Sequence, residues 1–229
     1  MKKNKEYNLI YAVALIFAVT VTTIGSTYAY MTARTNSEIN SVRTNSTTYS
    51  ISMDITPLYE SPSIIPMNDE YALKAIKNRC VDKYNYNVCY AYTIRVYDYD
   101  EKLDYVSGLM DIETTNMTNL SYMTFSESDT YNPDNCLELD NKYYCKVVNP
   151  THMGTGTNLP LGDSYDVAGK TETKIILLIW LTNLNERQNE IDIGRFNATI
   201  TMQAGNGGKI QGSIANALVI EEGGNSNGW

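Results

Sequence analysis

Alternation of apolar and polar positions dominates the chain beyond its first fifty residues. Tyr49, Ile51, Met53 and Ile55 alternate with Ser50, Ser52 and Asp54, and Tyr90, Tyr92, Ile94 and Val96 alternate with Ala91, Thr93 and Arg95. A period of two predicts half-buried strands in both places. The run Lys174-Ile175-Ile176-Leu177-Leu178-Ile179-Trp180-Leu181 is apolar on both parities, as a central strand covered on each face would be. It is too short to cross a membrane as a helix. Phe196, Ala198, Ile200 and Met202 alternate again with Asn197, Thr199, Thr201 and Gln203, and the polar stretch Asn183 to Glu190 makes these two strands a long-looped antiparallel pair. A hairpin is expected to turn at Gly205-Asn206-Gly207-Gly208, followed by a last strand that includes Ala215 to Ile220. One short helix fits within Pro66 to Lys77, starting near Asn68 or Asp69. The stretch from about Pro57 to Pro160 reads as a loop-rich insertion on one face. Strands without alternating helices argue for an all-β fold, an antiparallel β-sandwich or jelly roll over residues 47–220. The tail, 221–229, is rich in Gly and Asn, reads as flexible, and carries neither a sortase-type signal nor a second hydrophobic anchor.

A different pattern opens the chain. Lys2, Lys3 and Lys5 precede an uncharged stretch from Tyr7 to Ala33 with an apolar centre, Leu9 to Val21. A basic start followed by an apolar centre is the pattern of an export leader, here one N-terminal hydrophobic helix. In Gly25-Ser26-Thr27-Tyr28-Ala29, Thr27 and Ala29 occupy the small-residue positions a signal peptidase needs, so that cleavage leaves Tyr30 as the new N-terminus. The alternative is an uncleaved membrane anchor, since an uncharged stretch of this length spans about 30 Å of hydrocarbon. Lysines before the segment and none close behind it put the remainder outside the cytoplasm in either case. Residues 1–29 are thus a signal peptide or anchor, and 30–46 an N-terminal extension.

The formal net charge is -8, and loss of Lys2, Lys3, Lys5 and Glu6 with the leader makes the remainder more negative still. Such a balance argues against nucleic acid as a partner. Tyr is abundant (19) against Phe (3), a composition that suits strands and polar turns. The tyrosines admit two readings, sheet packing or contact surfaces for subunits or carbohydrates.

Four cysteines fall as Cys80 and Cys89, then Cys136 and Cys145. Outside the cytoplasm an even count reads first as disulfides, and the equal spacing favours two local pairs. For the second pair the register can be counted. Asp140-Asn141 lies midway, and both residue types tolerate the positive φ of a two-residue turn. Leu139 then faces Lys142, Glu138 faces Tyr143, Leu137 faces Tyr144, and Cys136 faces Cys145 in a non-hydrogen-bonded pair, about 4.5 Å apart at Cα. The first pair centres on Tyr84-Asn85, a weaker turn. A zinc site from the four thiolates is the alternative, disfavoured because neither pair has the short spacing of a zinc knuckle.

Other chemistry is sparse. His152 is the only histidine, so there is no HExxH zinc helix and no Ser-His-Asp set stands out; it reads as a loop residue in Pro150-Thr151-His152-Met153-Gly154. Gly154-Thr155-Gly156 lacks the lysine of a phosphate loop and reads as a turn. Asp98, Asp100, Glu101 and Asp104 miss the EF-hand spacing and read as a solvated turn before a calcium site. Asn45, Asn116, Asn119 and Asn197 head Asn-x-Ser/Thr triplets, which in a bacterial protein reflect Asn/Thr richness. The expectation is a non-enzymatic protein with no cofactor and no metal.

The lysine-led segment ending Gly25-Ser26-Thr27-Tyr28-Ala29-Tyr30-Met31, the strand around Tyr49 to Ile55, and the late stretches Thr173 to Leu181 and Ile193 to Gln203 together resemble the TasA/camelysin family of secreted biofilm-matrix fibre proteins from Gram-positive bacteria. The resemblance implies a jelly-roll subunit, processing by a dedicated signal peptidase, and filaments in which an N-terminal strand of one subunit, here within Tyr30 to Ser46, completes the sheet of the next. It also bears on the metallopeptidase label sometimes attached to camelysins, for which this sequence supplies no residues. The function expected is an exported cell-surface or extracellular-matrix structural protein that self-associates into filaments. A membrane-anchored adhesion or ligand-binding module is the alternative.

Overall fold

The computed structural model describes residues 39–40, 51–59, 61, 63–99, 103–115, 119–153, 156–169, 172–183, 194–205 and 207–218. Its organising element is the strand of Glu172–Leu181, β9, because seven consecutive residues of it, Ile175 to Leu181, are buried. Ile175, Leu177, Ile179 and Leu181 face an interior shared with a second sheet, while Ile176, Leu178 and Trp180 face an outer layer. The absence of polarity on either parity follows from that double cover.

In chain order the strands are β1 (Ile39–Asn40), β2 (Ile51–Pro57), β3 (Tyr90–Asp98), β4 (Tyr105–Thr115), β5 (Leu120–Ser128), β6 (Cys136–Leu139), β7 (Lys142–Met153), β8 (Gly156–Asp166), β9, β10 (Gly194–Ala204) and β11 (Lys209–Leu218). They form two antiparallel sheets, one ordered β2-β3-β9-β5-β7-β6 and the other β1-β11-β10-β4-β8. The fold is thus the expected all-β sandwich. Strand β10 shows the one-sided pattern: Phe196, Ala198, Ile200, Met202 and Ala204 are buried in the interior, and Arg195 and Asn197 are exposed. Gly212 of β11 allows close approach of the sheets at one corner, since a Cβ there would lie 2.8 Å from Ile55 Cδ1 and 2.9 Å from Met53 Cε.

Two expectations are corrected. The late strands β9 and β10 are not an antiparallel pair; β9 bonds to β3 and β5, whereas β10 bonds to β11 and β4 in the opposite sheet. A strand apolar on both faces needs cover on both, and one with a single apolar face belongs in a layer with an open side. The stretch from Pro57 to Pro160 is also far richer in strand than a loop-rich insertion, holding β3 to β7 and the start of β8, with β5 beside β9 inside a sheet. Its alternation is plain in β4, where Val106, Gly108, Met110 and Ile112 are buried between more exposed neighbours.

The insertion on one face contracts to the connection between β2 and β3. It contains a 3-10 turn, Asp69–Tyr71, and a helix, α1 (Ala72–Lys77), close to where the sequence places one. Ala72, Ala75 and Ile76 of α1 pack with Cys80, Val88 and Cys89 against Ile176, Leu178 and Trp180 on the outer face of β9. Small residues on the inner side of α1 let so short a helix lie close to the sheet. Among the described residues no helix is long and apolar enough to cross a membrane, and Leu9 to Val21 lies outside them.

Candidate functional site

The polar centre of the molecule is built where α1's entry turn meets the ends of β5, β7 and β9. Asp69 sits in the 3-10 turn, and its Oδ1 accepts hydrogen bonds from Trp180 Nε1 at 2.9 Å and Thr182 Oγ1 at 2.8 Å. Thr182 Oγ1 lies 2.6 Å from Ser121 Oγ, which is itself 2.8 Å from Nδ1 of His152. Nε2 of His152 returns to Asp69 Oδ2 at 3.2 Å, closing the ring. The backbone reinforces it, with Met67 bridging Thr182 and Asn183 N donating to Met67 O at 2.9 Å. His152 is therefore a residue of strand β7 and not of a loop, held because both ring nitrogens find partners. The three residue types of a nucleophilic set are brought together, although the sequence singled out none. Their arrangement does not offer a reachable nucleophile: Ser121 has 0% exposure and its hydroxyl is engaged on two sides. Chemically the ring is a clasp that fixes the outer layer to the sheet, satisfying the buried indole N–H and hydroxyls. Spacing could not reveal it, since Asp69 and Thr182 are 113 residues apart.

The second feature is the loop between the cysteines of the first pair. Cys80 and Cys89 are bonded, with Cα atoms 5.0 Å apart, and Val88 N donates to Cys80 O at 2.9 Å. Inside it the buried Asp82 accepts at Oδ1 from the backbone N–H of Tyr84 and of Tyr86, both at 2.9 Å. Asn85 supplies the positive φ of the turn, as do Arg79 and Cys80 at its entrance. The Asp82 carboxylate is thus turned inward to hold the loop, while Tyr84 (65%) and Tyr86 (48%) stand exposed, with exposed Lys83 next to Tyr84. Lys83 Nζ lies 5.1 Å from the Tyr84 ring centroid, and the Arg79 guanidinium 5.8 Å from that of Tyr59.

The third feature is the set of sheet edges. Strand β8 meets β4 with three register shifts and carries Pro160. Strand β6 is only four residues long, and β7 beyond it carries Pro150. These are ways of refusing a further strand. By contrast β11 pairs with β10 over ten consecutive positions without a bulge, has no proline, and holds a single charge, Lys209, at its start. Among the described residues, only Ile39 and Asn40 pair on its other side, opposite Ile214 and Ser213.

The remaining site residues fall as follows. Cys136 and Cys145 are bonded, Cα atoms 4.0 Å apart, in the register counted from the sequence, with Asp140 (φ 53°) and Asn141 (φ 61°) as the turn. With all four cysteines in disulfides, the zinc alternative is overturned. Among the described residues no three His, Cys, Asp or Glu side chains are grouped to hold a metal. Of the acidic turn, Asp98 is buried and accepts from Leu103 N at 2.8 Å; Asp104 is exposed, and Asp100 and Glu101 lie outside the described residues. Asn119 is buried, with Nδ2 donating to Thr182 O at 2.6 Å. Thr27, Ala29 and Tyr30 lie outside the described residues, as does the extension 30–46 apart from Ile39 and Asn40.

No family model and no curated protein matches the chain. Similar solved structures include pilin subunits. The CooA pilin subunit of enterotoxigenic Escherichia coli is 10% identical, over 59% of this chain and 83% of its own, with a TM-score of 0.31. BcpA, the major pilin subunit of Bacillus cereus, is 12% identical over 76% of this chain and 41% of its own, TM-score 0.31. The cupredoxin domain of amoB from Nitrosocaldus yellowstonii is 10% identical over 77% and 92%, TM-score 0.30. Superpositions this loose carry no argument, so function rests on the residues described above.

Proposed function

We propose that this chain is an exported structural subunit of the cell surface or extracellular matrix, assembling into filaments through the open edge of β11. The observation that carries the reading is the pairing of Ile39 and Asn40 with Ser213 and Ile214 on an edge that no bulge or proline defends. An undefended edge offers unpaired N–H and C=O groups to an added strand. If the segment from Tyr30 to Ser46 occupies the β11 edge of a neighbouring copy, the contact is head to tail and does not close, so filaments result. Export accords with the lysine-led leader and with two disulfides, which persist in oxidising compartments. The reading assigns no catalytic step, in keeping with the inaccessible Ser121. Deletion of Tyr30 to Ser46 tests it: folded monomers by sedimentation and microscopy are expected, and filaments indistinguishable from the parent's overturn it. The second reading, an anchored adhesion or ligand-binding module, is favoured by the exposed aromatic and basic loop between Cys80 and Cys89.

A further inference from the structure

We infer that the cystine-closed loop of residues 80–89, with the adjoining end of α1, is a binding surface for acidic polysaccharide. In an acidic protein, Lys77, Arg79 and Lys83 stand exposed within seven positions, and among the described residues none of them forms an ion pair. The one acidic side chain between α1 and Cys89, Asp82, is buried and spent on the loop's own backbone. The local surface is therefore basic. Exposed Tyr84 and Tyr86 supply flat apolar faces, and a surface tyrosine does so with little conformational entropy to lose. The Lys83 ammonium beside the Tyr84 ring sets a cation next to an aromatic plane, which suits a sugar whose ring lies on the tyrosine while its carboxylate meets the lysine. Disulfide, Asp82 cap and positive-φ residues fix the loop before any ligand arrives, which lowers the ordering cost of binding.

The partner's charge density is bounded by the neighbouring hairpin. Lys77 Nζ donates to Pro133 O at 2.6 Å, which brings the patch against a segment carrying exposed Asp134, Glu138 and Asp140. A duplex nucleic acid, with one charge per about 1.7 Å of axis, would be driven across those carboxylates. A polymer with one carboxylate per sugar can set its charges on the lysines and arginine and neutral ring atoms elsewhere.

The test uses the full exported chain in mild detergent, with polygalacturonate as probe and neutral dextran and duplex DNA as comparators. Binding to polygalacturonate that weakens with salt, with neither comparator bound as tightly, is expected. The Tyr84→Ala/Tyr86→Ala and Arg79→Gln/Lys83→Gln variants should each bind about tenfold more weakly at unchanged Tm, and the tyrosine variant should keep the parent's salt dependence. Failure of the parent to bind polygalacturonate, binding that survives both variants, or equal binding of DNA or dextran overturns the proposal. Because binding is read on the chain whether or not it polymerises, this outcome is separate from that of the filament test.

Discussion

At the residue scale, the heaviest responsibility falls on Asp69, whose carboxylate answers the Trp180 indole, the Thr182 hydroxyl and the His152 ring together. Removing an acceptor that serves buried donors leaves them unpaired, which costs more than the bond itself gains. Asp69→Ala should lower unfolding free energy by about 2 kcal/mol or more in denaturant titrations. His152→Ala should cost far less, because the His152 side chain is 64% exposed and water can take its place at Asp69 Oδ2. Equal losses for the two variants would mean that the histidine contributes as much to the clasp as the aspartate, which overturns this ranking. The tyrosines give a second residue-scale test. Burial, with a smaller push from Glu127 and other acids nearby, raises the Tyr144 phenol to about 12, and burial raises Tyr90 and Tyr122 as well. A group whose folded pKa is raised contributes stability that is complete below the unfolded value, near 10, and lost as pH climbs through the folded one. Stability should therefore hold up to about pH 10 and fall between there and pH 12. Ultraviolet titration should show Tyr90, Tyr122 and Tyr144 ionising only as the fold opens.

At the element scale, the β6–β7 hairpin is fully legible in the sequence: two turn residues that tolerate positive φ, then a count outward to the cysteines. Its rule is local, so sequence contains it. Loss of the bond by Cys136→Ser/Cys145→Ser should cost about 2 to 3 kcal/mol through the freed unfolded chain. Asn141→Val, which puts a β-branched residue at positive φ, should also destabilise by chemical denaturation while leaving the disulfide in place on non-reducing peptide maps. The first cystine loop was legible only in part, because its turn is held by the Asp82 side chain and not by residue type alone. Strand existence followed from alternation in β2, β3 and β10 and from the unbroken apolar run in β9, yet partner choice did not. Alternation tells how many faces of a strand are apolar, not which of two sheets receives it, and the assumption that neighbours in sequence pair was what misassigned β9 and β10. The clasp was invisible for the same reason. Its members come from the α1 entry turn and the ends of three structural segments, joined only after both sheets are formed.

At the scale of the whole molecule, the edges decide whether the sandwich stays alone. Bulges and Pro160 defend β8, brevity defends β6, and Pro150 defends the stretch of β7 beyond it; of the described edges left without a bulge, β2 (Ile51–Pro57) and β11 (Lys209–Leu218), β11 is the longer. Along β11 the antiparallel register set by Ile39 opposite Ile214 and Asn40 opposite Ser213 can be continued in both directions by the flanking chain. That continuation depends on backbone N–H groups of the added segment, which proline lacks. Substituting Ile39→Pro and Asn40→Pro together should therefore abolish pairing on β11 without disturbing any bond between β11 and β10. The expected outcome is a chain with parental near-ultraviolet circular dichroism and about the same Tm, since two edge residues add little to the core. On the proposed assembly, it should sediment as a monomer where the parent is expected to form filaments. A variant with Ile39→Ala and Asn40→Ala keeps the N–H groups and should still assemble. If the proline variant forms filaments as readily as the alanine one, backbone pairing at β11 is not the contact, and lateral association of exposed faces takes its place.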